Sequence, residues 1–204
     1  MSQKALLVVD VQRDFCPGGA LAISEGDTII PALNRYIELF TSRNLPVFVS
    51  RDWHPEQTEH FEKHGGAWPV HCVQNTPGAA FHPDLQLPAS VMVLSKGFKP
   101  GEDGYSAFQG VDNEDRRLQK LLNQERVNEL FVGGLATDVC VRASVLDGLG
   151  RGLNVYLLHD ATRGVEKNPG DVERAVREMQ AGGAVVTEWK EVREHVAGEV
   201  RFSA

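Results

Sequence analysis

The sequence contains no stretch near the roughly 20 unbroken apolar residues that a membrane span requires, so a soluble chain is expected. It also has no basic excess: 21 Lys and Arg against 28 Asp and Glu leave a net charge of −7. Proteins that bind a phosphate backbone usually carry a basic face, so nucleic acid is not an expected partner. Cysteine is scarce, and 3 is an odd number without a C-x-x-C pair, which argues against a disulfide framework and for reduced thiols. Met1 to Lys4 lead straight into a short β-type run, without the longer apolar stretch and cleavage site of a signal peptide, so a cytoplasmic protein is the default expectation. The first strand is not followed by a G-x-G-x-x-G turn, which weakens a nucleotide-binding or scaffolding reading. Internal repeats, linkers and low-complexity segments are missing as well.

What is present fits one domain over residues 1–204, with 42% hydrophobic and 24% charged residues, ordinary globular values. Six short apolar runs stand out: Ala5 to Val9, Val47 to Ser50, Val91 to Leu94, Leu130 to Val132, Val155 to Leu158 and Ala184 to Thr187. Helical spacing separates most of them. Ile30, Leu33, Ile37 and Phe40 mark a first helix, and Leu118, Leu121 and Leu122 a second. Val141, Val145 and Leu149 mark a third, and Val172, Val176 and Met179 a fourth that closes at Gly182 and Gly183. This alternation predicts a doubly wound, Rossmann-like α/β fold with a six-stranded, mainly parallel sheet and helices on both faces. His54 to Pro88 and Gly97 to Asn113 break the rhythm and are read as long loops where chemistry is to be sought.

In such a sheet, ligands bind beyond the carboxyl ends of the strands. Asp10 ends the first run, Arg51, Asp52, Trp53 and His54 follow the second, Ser95 and Lys96 the third, and Cys140 lies a short turn beyond the fourth. Cys140 stands where a helix begins, and the positive end of a helix favours a thiolate and lowers its pKa. Taken singly, Cys140 reads as a buried structural thiol, Asp10 as a helix cap and Lys96 as a solvated charge. Together they supply a nucleophile, a proton acceptor and a cation to hold the pair in its active ionisation state. Asp52 and His54 are two apart and share a side of an extended segment, with His60 and His71 in the loop that follows. Mixed His and carboxylate donors suit a divalent transition ion, and His64 and His82 fit the same donor pattern.

Several segments resemble the nicotinamidases of the isochorismatase-like cysteine hydrolases: Asp10 to Phe15, Asp52 to His54, Trp68 to Cys72, Ser95 to Gly97, Tyr105 to Phe108 and Gly133 to Val141. The match covers nearly the whole chain in order. It implies hydrolysis of nicotinamide to nicotinate and ammonia in NAD salvage, with Cys140 as nucleophile, Asp10 as base and then acid, and Lys96 tuning the pair. It also implies a cis peptide between Leu135 and Ala136, with the backbone N–H groups of Ala136 and Cys140 facing the oxyanion. Asp52, His54 and His71 match the ligands of one divalent ion, zinc first and iron or manganese as alternatives, which binds the pyridine nitrogen. His60 matches a ligand of some members only, and His64 is its rival. Phe15, Trp68, Tyr105 and Leu135 are similar to the ring-pocket residues, whereas Cys16 and Cys72 read as packing. Nicotinamide is the implied small-molecule partner, pyrazinamide is an expected second substrate, and a homo-oligomer is left open. The alternative within the superfamily is a metal-free amidase for a ureido or carbamoyl substrate.

Overall fold

The computed structural model describes residues 3–198. Its six strands, β1 (Gln3–Val9), β2 (Val47–Asp52), β3 (Met92–Lys96), β4 (Val127–Leu135), β5 (Asn154–Arg163) and β6 (Val185–Thr187), form one parallel sheet in the order β3-β2-β1-β4-β5-β6. Each expected run coincides with a strand, except that Val91 and Ala184 lie one residue ahead of β3 and β6. β3 continues through Ser95 and Lys96, so Lys96 is the last residue of a strand and pairs with Asp52. β5 runs on to Arg163, pairing with β4 at Leu157 and again at Thr162 across an irregularity in register.

Side-chain alternation explains how the sheet buries both faces. Leu6 and Val8 of β1 pack with Leu33, Ile37 and Phe40 of α1 (Ile30–Thr41) and with Val192 and Val196 of α5 (Trp189–Ala197). Ala5, Leu7 and Val9 face the other way, toward α2 (Leu118–Gln124), Val145 of α3 (Arg142–Gly150) and Met179 of α4 (Asp171–Ala181). Helix α5 has no counterpart in the sequence reading, because only two aliphatic positions, Val192 and Val196, mark its buried side. Tertiary contacts supply what its periodicity does not: Trp189 meets the edge of Tyr36 at 5.2 Å, and Glu188 and Glu191 form a reciprocal cap.

The two long loops contain only short turns and isolated bridges, among them His54 with Val73, Phe61 with Trp68 and Ser95 with Val111. Those bridges fold the loops back over the carboxyl edge of the sheet. Among the described residues, no helix is long and apolar enough to cross a membrane.

Phe131 of β4 lies between Phe40, edge-on at 5.4 Å, and Tyr156, stacked at 4.5 Å, with 1% of its surface exposed. Phe131→Ala is expected to lower unfolding free energy by about 3–5 kcal/mol in urea titrations, through lost burial and a residual cavity.

Candidate active site

β1 and β4 are neighbours at the centre of the sheet, and the chain leaves them toward opposite faces, which opens a crevice beyond their carboxyl ends. Asp10 stands at one lip, immediately after β1, in a left-handed backbone turn with φ 51°. It therefore caps no helix. Beyond β4, the Leu135–Ala136 peptide is cis, as the family resemblance implied. A π-type turn, Thr137–Val141, then delivers Cys140 to the start of α3. Ser144 ties that turn down: its Oγ donates to the Cys140 carbonyl at 2.7 Å and accepts from Ala107 N at 2.9 Å.

Lys96 is fully buried and lies among three polar groups. Its Nζ is 2.8 Å from Asp10 Oδ2, in direct contact with Asp52 Oδ1, and 3.5 Å from Cys140 Sγ. One carboxylate oxygen each of Asp10 and Asp52 and the sulfur of Cys140 lie within 4.8 Å of one another. Burial alone would push the Lys96 pKa down, but the two carboxylates outweigh it and hold the ammonium charged. Asp52 responds in the same way: burial is opposed by Lys96 and by the nearby rings of His54 and His71, and its pKa lies well below the usual value.

Asp10 behaves differently. Burial raises its pKa from 3.8 to about 6, with Lys96 opposing and Asp52 adding to the rise. Its Oδ1 accepts from Ser50 Oγ at 2.7 Å, whereas among the described residues Oδ2 has no hydrogen bond beyond the ion contact with Lys96. That oxygen is available to take a proton. The Cys140 thiol is pushed well above its usual pKa, first by burial and then by the nearby carboxylates, with Lys96 only partly opposing. This reverses the expected lowering: the start of a helix does not outweigh desolvation and two negative neighbours. The thiol is neutral at rest, and a base beside it is required to generate the nucleophile.

Next to this cluster, His54, His60 and His71 each offer a ring nitrogen, and these atoms lie within 4.8 Å of one another. Strand-like pairing of residues 54 and 73 brings His71 beside His54, and Asp52 Oδ2 is 3.7 Å from Nε2 of both. Each Nδ1 already has an oxygen partner: Gly97 O at 3.0 Å for His54, Asp103 Oδ1 at 2.9 Å for His60, and Pro69 O at 2.7 Å for His71. This pattern leaves the Nε2 lone pairs as donors, and the buried Nε2 of His54 has no hydrogen-bond partner among the described residues. Desolvation holds the His60 pKa below its usual value, which favours the neutral ring that a metal needs. The donor set therefore fits one divalent ion, and a cation there would balance the surplus negative charge of two carboxylates around one ammonium.

A cleft of about 370 Å³, counting its open mouth, joins the two clusters. Phe15, Trp68, Tyr105 and Leu135, the four expected ring-pocket residues, line it together with Asp52, His60, His71, Ala136 and Cys140. Trp68 Nε1 donates to Tyr105 OH at 3.0 Å, fixing two aromatic walls relative to each other. Asp10, Lys96 and His54, which do not line the cleft, are buried behind it: Lys96 contacts Asp10, Asp52 and Cys140, and His54 Nε2 is 3.7 Å from Asp52 Oδ2. His64 stands apart: it sits exposed on a short turn outside the histidine cluster, and His82 pairs instead with Asp84 at 3.9 Å. Cys16 and Cys72 are buried free thiols in the apolar core, as read.

Sequence reading missed Gln12, Asp14, Ser50 and Asp103. Gln12, with no exposed surface, donates to Asp52 O and Ala79 O, both at 2.8 Å, and accepts from Asp52 N at 2.7 Å. Asp14 accepts from Cys72 N at 2.7 Å and so holds the segment that carries His71. Ser50, a polar residue inside an apolar run, was the one with a legible signal.

An isochorismatase domain matches residues 4–191, and the chain belongs to the isochorismatase family. It is similar to the nicotinamidase of Escherichia coli (strain K12), with 41% identity over 95% of this chain and 100% of that protein. Its fold is similar to that of the Pyrococcus horikoshii pyrazinamidase solved in complex with zinc, with a TM-score of 0.85 and 45% identity over 92% of this chain and 99% of that one. The L. infantum protein PnC1, solved in complex with nicotinate, gives a TM-score of 0.81 and 32% identity over 92% of this chain and 93% of that one.

Removing the cation from a buried cluster leaves its carboxylates uncompensated. Lys96→Met is expected to lower unfolding free energy by about 3–5 kcal/mol, read from urea titration. An unchanged midpoint would show that Lys96 does not neutralise the pair.

Proposed function

We propose that the chain is a nicotinamidase that hydrolyses nicotinamide to nicotinate and ammonia through a thioester on Cys140, with pyrazinamide as a second substrate. The observation that carries this reading is that one aromatic-walled cleft is lined both by the Cys140 thiol and by His60 and His71 of a three-histidine cluster suited to a metal. Similarity to nicotinamidases and to a zinc-bound pyrazinamidase supports the same substrate class. A metal-free ureido or carbamoyl amidase would have no use for three buried histidines whose Nδ1 atoms are all engaged.

Asp52, His54, His60 and His71 would hold the ion, which when bound supplies a Lewis-acidic position for the pyridine nitrogen. Phe15, Trp68, Tyr105 and Leu135 enclose the ring and exclude water, which places the carboxamide over Cys140. Asp10 Oδ2 takes the thiol proton as sulfur bonds to the carboxamide carbon, and the carbonyl π pair moves onto oxygen. The backbone N–H groups of Ala136 and Cys140 receive that oxyanion in this reading. As the oxyanion collapses, the C–N bond breaks, and the departing nitrogen takes the proton from Asp10 to leave as ammonia. Asp10 then removes a proton from water, the hydroxide oxygen adds to the thioester carbon, and cleavage of the C–S bond, with the proton returned from Asp10 to sulfur, releases nicotinic acid, which loses its carboxyl proton to water as nicotinate. Lys96 stays charged throughout, stabilising the thiolate and keeping Asp10 from capturing a proton too firmly.

The direct test is ammonia release from nicotinamide, with and without added zinc, manganese or iron. Activity that needs no metal and survives His54→Ala or His71→Ala would refute the assignment. Cys140→Ala is expected to abolish ammonia release while nicotinamide still binds by calorimetry, because the ring contacts do not involve sulfur; equal loss of binding would contradict the division of roles.

The base must be ionised to act, so kcat/KM falls as pH drops through the Asp10 pKa. Burial sets the upper limit of that acid limb at about 6, and a cation beside Asp52 draws it down toward the ordinary 3.8. A limb above this window, or one that survives in Asp10→Asn, would exclude Asp10 as its source.

A further inference from the structure

The three histidines are not anchored alike. His54 and His71 direct Nδ1 at backbone carbonyls, Gly97 O at 3.0 Å and Pro69 O at 2.7 Å. His60 instead meets a side chain, Asp103 Oδ1 at 2.9 Å. The histidine side chains are almost wholly buried, at 0%, 4% and 2% exposure for His54, His60 and His71, whereas Asp103 is 63% exposed. Two rings are thus held by neutral groups that cannot rotate away, and the third by a charged, rotatable group open to water.

The same loop sets both kinds of anchor. At its start Gly97 has φ +64°, and a Cβ there would lie 2.5 Å from His54 Cε1, so only glycine lets its carbonyl approach that ring. Near its end Gly104, with φ +70°, packs against Gly97 so closely that a Cβ would collide with the Gly97 backbone. Between them, Pro100 O accepts from Thr58 Oγ1 at 2.9 Å and from Glu59 N at 3.0 Å, which ties the loop to the segment carrying His60. Asp103, next to Gly104, is delivered onto His60 by this closure. It also lines the cleft, and nothing in the proposed reaction uses it.

We propose that Asp103 is a positioning residue that governs how long a bound divalent ion is retained, by holding His60 in its ligating orientation; this rests on reading the histidine cluster as the metal site. A carboxylate accepting from Nδ1 fixes the tautomer, orients the ring and makes Nε2 a stronger donor, and loss of such a partner typically costs about 10–100-fold in metal affinity. Because the Asp103 carboxylate is 63% exposed and can rotate into water, as a backbone carbonyl cannot, the His60 arm opens first, and the ion leaves on that side.

The test is zinc release. Protein loaded with one zinc ion is mixed with excess chelator, and transfer is followed with a chromogenic indicator. Asp103→Ala is expected to release zinc about 10–100-fold faster than the unmodified protein. Asp103→Asn keeps an acceptor but loses the charge, and is expected to fall between them. Asp84→Asn, the control at an exposed carboxylate beside His82, should match the unmodified protein. Circular dichroism and thermal unfolding of the metal-free proteins should coincide, since Asp103 is exposed and contributes no core contact. Release from Asp103→Ala at the unmodified rate would overturn this role for Asp103 while leaving the metal site intact. Failure of the unmodified protein to take up zinc would overturn the metal site itself, and this role with it.

Discussion

The arrangement depends on one buried ammonium. Lys96 has no exposed surface, and taking such a charge out of water costs several kcal/mol before any partner is counted. It is tolerable only because Asp52, at the end of the adjacent strand β2, and Asp10, just beyond β1 one strand further in, both reach it, with the Cys140 sulfur at 3.5 Å. Those positions follow from parallel register, since Asp52 pairs with Lys96 across β2 and β3 and Asp10 follows the central strand. A sheet slipped by one residue would turn these side chains to the other face and leave the charges unpaired.

Asp52 joins the two centres. One carboxylate oxygen touches Lys96, and the other lies 3.7 Å from both His54 and His71. Charge at the histidine cluster is therefore felt at Lys96, and through it at Asp10 and Cys140. Gln12 fixes this junction, bonding the Asp52 backbone through its side-chain oxygen and nitrogen alike. The division of labour among the carboxylates has the same origin. Asp52, facing a cation and two imidazoles, is held ionised, whereas Asp10, fully buried with one oxygen lacking, among the described residues, a hydrogen bond beyond Lys96, rises to about 6. Two chemically identical side chains thus acquire different duties from their surroundings.

Some of this was legible before any coordinates. β1, β2, β4, β5 and α1 announce themselves because burial on a parallel sheet demands apolar runs, and packing on it demands helical spacing. Cys140, Lys96 and Asp10 were found because strand ends in such a sheet converge on one edge. Helix α5 was not legible, since its stability resides in the Tyr36 contact and in a Glu-based cap rather than in its own pattern. The choice between His60 and His64 was equally closed. Both are polar loop residues four apart, and only the folding of the loop onto Pro100 and Trp68 buries the first and exposes the second.

The sequence by itself determined the layered α/β class, the approximate strands and the inventory of reactive groups, because periodicity and residue type are local properties. Tertiary structure alone decided which loop histidine joins the cluster, which carboxylate is ionised and that the thiol rests neutral. Those outcomes depend on distance, burial and the sign of neighbouring charges, and these exist only once residues far apart in the chain have been brought together.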